Sequence, residues 1–124
     1  MTSTQFSRRV LRAHAIAIFV MTGLLITIST VGFIRGQGLY GFLQPNPWAY
    51  IGLAQAYWLM AVVGLGLWIG ASQTNPRPWH LIGALAHGMP IALNIIFFNL
   101  IASSGIGNAA ILGLTFHCVF LDAE

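Results

Sequence analysis

The chain has 124 residues, of which 57% are hydrophobic and only 6% charged, with a formal net charge of +3. Soluble domains carry about 25% charged residues, so this composition excludes a water-soluble globule and places most of the chain in a bilayer. Its five basic residues are all arginine and reflect topology rather than nucleic-acid binding, which needs a basic face with many phosphate contacts. One cysteine, Cys118, excludes an internal disulfide.

At roughly 20 apolar residues per crossing, four segments fit. The first, about 13–33, is longer than a signal-peptide core and lacks an Ala-x-Ala site, so a retained helix is expected. "SRRVL" (Ser7–Leu11) faintly resembles a twin-arginine signal, but the run behind it is too long and apolar. His14 stands at the edge of this helix, with Thr22, Thr27, Ser29 and Thr30 beyond it. Such hydroxyls are expected to bond back to their own helix.

After "RGQGLYGFLQPNP" the second segment, about 48–71, opens with Trp48, an interfacial belt residue, and carries Tyr50, Gln55 and Tyr57. "SQTNPRP" leads to the third, about 79–102, which Trp79 opens in the same way. "SSGIG" leads to the fourth, about 107–121, shorter than the rest and suited to a tilted or locally thinned crossing. No repeat or second domain is visible. Arg8, Arg9, Arg12 and Arg77 fall on one side against Arg35 on the other, which puts both termini in the cytoplasm. The expectation is an all-α, single-domain integral membrane protein, a four-transmembrane-helix bundle in a bacterial inner (plasma) membrane.

Lipid offers no hydrophobic drive between helices, so close packing must hold them. Small residues recur every four positions: Gly66 and Gly70; Ala84, Gly88 and Ala92; Gly105, Ala109 and Gly113. These rows are expected to be contact ridges, within the chain or between copies.

The chemistry concentrates in "HLIGALAHGMPIALNIIFFN", residues 80–99. His80, His87 and Asn94 are seven apart and form one stripe, each about 20° from the last. Pro90 cannot donate to the carbonyl of Ala86, which loosens the helix beside His87. In the fourth segment Asn108, Thr115 and Asp122 also repeat at seven, with His117 offset. Intramembrane ionisable groups are functional candidates by default. His87 is therefore either an interhelical hydrogen-bonding group or a ligand to a bound molecule, with Asn94, His14, His80, Asn108, Tyr57 and Gln55 as further candidates to line a pocket. Asn94 and Asn108 could equally serve as interhelical glue, and His14 and His80 as interfacial groups. No clustered Cys/His zinc pattern, paired intramembrane carboxylates or P-loop is present.

"AHAIAIF" in the first segment and "PWHLIGALAHGMPIALNIIFF" in the third together resemble the styrene oxide isomerases. His14, His80 to Gly83, and Asn94 with Phe97 carry that resemblance. It implies a small four-helix membrane enzyme that assembles as a trimer, with haem b held between protomers and its iron acting as a Lewis acid on an epoxide. The family's haem-ligating His and its substrate-contacting Asn would fall in "WAYIGLAQAYWLM", which contains neither, and its Tyr in the third helix is replaced by Phe97 or Phe98. Haem would then need another iron ligand, for which His87 is the candidate.

Two functions are expected from this sequence. One is a bundle whose His/Asn-lined pocket binds haem, a chlorin or a hydrophobic small molecule. The other is an accessory or scaffold subunit, a homo-oligomer or part of a larger membrane complex, with no chemistry of its own.

Overall fold

The computed structural model describes residues 3–103 and 107–123, with side chains described for 4–103 and 111–122. Its elements are α1 (Ser3–Arg35), a 3-10 turn (Gly41–Leu43), α2 (Pro47–Gly70), α3 (Arg77–Ile96), α4 (Phe98–Ser103) and α5 (Gly107–Ala123). No strand occurs among the described residues. α1, α2 and α3 are each long and apolar enough to cross a membrane, as a membrane protein requires, while the apolar part of α5 (Ile111–Asp122) is shorter.

α1 begins ten residues before the expected 13–33 segment. Hydropathy marks where side chains leave hydrocarbon, but "STQFSRRVLR" has no Gly or Pro to stop the helix. The 33 residues run about 50 Å at 1.5 Å each, against about 30 Å of hydrocarbon, so the first turns stand outside the core. α2 falls almost where the sequence placed it. The third segment does not: the expected helix over 79–102 stops at Ile96, and Phe97 (φ −102°, ψ 19°) separates it from α4. Ile95, Ile96, Phe97 and Phe98 are a run of weaker helix formers. Asn94 just before them donates its side-chain amide to the Pro90 carbonyl at 2.8 Å, a bond that competes with the helix ladder.

The chain forms two compact units, and α1 and α2 each contribute to both. In the first, Ala13–Gly66, α1 and α2 run antiparallel as a hairpin. The Tyr50 ring lies flat on Phe33 at 4.3 Å, and its hydroxyl is 3.0 Å from that of Thr30. Towards the other end Gly64 permits close approach: a Cβ there would stand 3.0 Å from a methyl of Ile18. The connector is folded rather than slack. Gly36 (φ 62°) and Gly38 (φ 75°) take left-handed conformations that favour glycine, Leu43 is buried, and the Asn46 side chain accepts from the Ala49 amide to cap α2. Thr27 and Ser29 donate to the carbonyls of Gly23 and Ile26, the back-bonding the sequence suggested.

The second unit, Met1–Arg12 and Leu67–Glu124, contains α3, which packs chiefly on α5. Leu11, Leu67 and Ala71 are fully buried. Among the small-residue rows, Gly70 is a true contact, lying against the Trp79 side chain, whereas Gly88 and Gly113 have no atom of the described residues within 4 Å of where a Cβ would stand. Those two rows are therefore not intrachain ridges at these glycines. Gly105 and the side chain of Ala109 lie outside the described residues.

Candidate functional site

His87 is the most enclosed polar group of α3, 3% exposed. Its Nδ1 lies 2.7 Å from Nδ1 of His117 on α5, so one imidazole donates to the other. Phe120 stacks nearly parallel on the His87 ring at 5.4 Å, Phe116 meets it edge-on at 6.3 Å, and the two phenyl rings pack together at 4.7 Å. The result is an aromatic box around a polar pair. Burial of an imidazole is tolerable only with such a partner.

The separation also bears on metal chemistry. Two nitrogens sharing a tetrahedral zinc would stand about 3.3 Å apart, from bonds of about 2.0–2.1 Å. A spacing of 2.7 Å suits a shared proton instead. Among the described residues no group of three or more His, Cys, Asp or Glu could hold a metal ion.

Asn94 lies two turns further along α3, about 10 Å from His87 by helical rise. There the break at Phe97 lets α3 and α4 diverge beside α5, and a half-open groove of about 380 Å³ results. Asn94, Ile95, Phe98, Ile101, Ala102, Ile111 and Leu114 line it. Among the described residues Asn94 is its one polar liner. Volumes of about 300–1,000 Å³, with apolar walls and a few polar groups, are typical of small-molecule sites.

The remaining candidates fall elsewhere. His80, near the start of α3, has Nε2 2.5 Å from the Ser7 hydroxyl. His14, fully buried, belongs to the Ala13–Gly66 unit. Tyr57 in the same unit is buried, with its hydroxyl 3.3 Å from that of Tyr40, while Gln55 is exposed. The Asn108 side chain lies outside the described residues. Thr115, on the fourth segment's polar repeat, donates to its own helix at the Ile111 carbonyl.

Sequence reasoning left His117 aside as offset, although it is the partner of His87. A signal was present: His87 precedes the end of α3 at Ile96 by nine positions, and His117 follows the start of α5 at Gly107 by ten. An antiparallel pair of those helices sets the two rings level. The break at Phe97 was needed to see it.

Compared with known proteins, the chain matches no family model, no curated protein and no solved structure.

Proposed function

We propose that this protein is a small four-crossing membrane bundle, both termini on the cytoplasmic face of a plasma membrane, that binds an apolar small molecule in the groove between α3, α4 and α5. One observation carries the reading: a half-open apolar groove of about 380 Å³ whose one polar liner among the described residues is Asn94. Apolar walls provide affinity and the amide fixes orientation. The His87–His117 pair supports the groove from two turns away by holding α3 on α5. α5, 17 residues and about 25 Å long, makes the fourth crossing with slight thinning of the bilayer.

Haem fits this geometry less well than an apolar molecule. Among the described residues the groove lining includes no iron-ligating side chain. Epoxide isomerisation would need its acid or Lewis-acid group at the groove, where the Asn94 amide is the one polar group among the described residues.

The test is native mass spectrometry of protein extracted gently from its membrane, alongside an absorption spectrum. A copurifying apolar molecule is expected, retained in wild type and lost in Ala102→Trp, which fills the groove. An empty wild type, or equal retention by Ala102→Trp, refutes the reading. A Soret band lost in His87→Ala would replace it with haem binding.

A second reading, self-association or docking in a larger complex, is favoured by Gly88 and Gly113, which face open space on α3 and α5. Cysteine crosslinking at these two positions in membranes tests it: products at twice the chain mass support contact between copies, and an uncrosslinked chain argues against it.

A further inference from the structure

We propose that Arg8 and Arg12, with Ser7 and His80 beside them, form a binding site for a phosphate-bearing anion at the membrane surface. Arg8 and Arg12 are four apart on α1 and share a face. That face is fixed. Leu11 beside it is fully buried, the Arg8 guanidinium donates to the Gln73 carbonyl at 3.0 Å, and the Arg12 guanidinium stands 5.9 Å over the Trp68 ring. One turn before Arg12, Ser7 meets His80 at the first turns of α3, and Arg77 opens that helix. All of these residues belong to one compact unit.

Among the described residues, Arg8 and Arg12 meet neutral groups, the Gln73 carbonyl and the Trp68 ring. Arg8 Nε is enclosed and has no hydrogen-bond partner, so the guanidinium has given up water on that edge with only a neutral carbonyl in return. Losing water at a cationic donor without an acceptor is costly. The chain holds just two acids, Asp122 and Glu124, and Asp122 lies in the last turn of α5. An external anion supplies the acceptors that the Gln73 carbonyl and the Trp68 ring do not. Planar guanidinium groups pair with phosphate oxygens through two parallel bonds. The location favours such a ligand too. Trp79 and Arg77 mark the end of a membrane-length helix, the level at which lipid phosphates lie and basic residues attract anionic headgroups.

The full-length protein in neutral detergent is titrated with phosphatidylglycerol, phosphatidylcholine or inorganic phosphate, and binding is read by native mass spectrometry and by the shift in thermal midpoint. Phosphatidylglycerol is expected to bind in preference to phosphatidylcholine and to raise the midpoint. Arg8→Gln should weaken it about tenfold, the usual loss for one charge-assisted pair. Arg9→Gln, which removes the same charge from an exposed neighbour, should change it less than about twofold. Protection by inorganic phosphate alone, lost in Arg8→Gln, assigns the site to the free anion and upholds the phosphate chemistry. Equal weakening by Arg8→Gln and Arg9→Gln overturns the site, as does equal binding of phosphatidylcholine or no binding at all. Should Arg8→Gln fail to fold, Arg12→Gln and Ser7→Ala make the same comparison with Arg9→Gln.

Discussion

Replacing His117 by leucine is expected to destabilise the protein by about 1–2 kcal/mol while leaving the packing of α5 in place. The magnitude follows from the geometry. The 2.7 Å bond to His87 is lost, and His87, 3% exposed, is left with an unsatisfied ring nitrogen. Orphaning a buried polar group costs about 1–3 kcal/mol in general. Interhelical hydrogen bonds in membranes average about 0.6 kcal/mol and reach about 1.7, because the separated helices also find partners. The overlap of these ranges sets the estimate. His87→Leu should cost a little more, since it also removes the stack on Phe120, worth about 0.5–1.5 kcal/mol. The double variant removes both polar groups together, so its cost should fall short of the sum by about 1 kcal/mol. The assay is unfolding of the detergent-solubilised protein by increasing sodium dodecyl sulfate, followed by tryptophan fluorescence. Costs that add within about 0.3–0.5 kcal/mol, or a His117→Leu variant as stable as wild type, would refute the buried-pair argument.

Gly70→Ala should cost about 1–3 kcal/mol in the same titration, because its Cβ would meet the Trp79 indole ring; a Trp79→Ala background removes that ring, so the cost should shrink. Tyr50→Phe keeps the stack on Phe33 and loses the hydroxyl contact with Thr30, so a loss of about 0.5–1.5 kcal/mol is expected, and equality with Thr30→Val would identify that contact as the source. Gly88→Ala and Gly113→Ala, facing open space, should stay within about 0.5 kcal/mol of wild type in dilute detergent. A larger loss that grows on dilution would reveal a partner on that face.

Composition and hydropathy made the helical class and the three membrane-length segments legible, because both report directly on solvent. Helix ends were less so. Residues 3–12 are helical because nothing in them breaks a helix, and hydropathy is blind to that. The stop at Ile96 depends on Asn94 bonding back to Pro90 and on the aromatic run after it, neither of which alters the apolar signal of the third segment. Period-seven spacing correctly put His80, His87 and Asn94 on one helix, yet they have three different partners: Ser7, His117 and the Pro90 carbonyl. Spacing within a helix fixes a face, while the partner depends on which neighbour arrives and at what level. Likewise Gly70 and Gly88 look alike in sequence and differ only in whether Trp79 is opposite.

The position of the break at Phe97 gives the groove a sidedness. α3 needs about 30 Å to run its 20 residues from Arg77 to Ile96, which is the full hydrocarbon thickness. In the four-crossing bundle proposed above, the mouth of the groove would then open near one leaflet's glycerol backbone, at the pole of α3 opposite Arg77. A membrane-impermeant amphiphile reaches it only when added to that face of a sealed vesicle, whereas a freely flipping one reaches it from either.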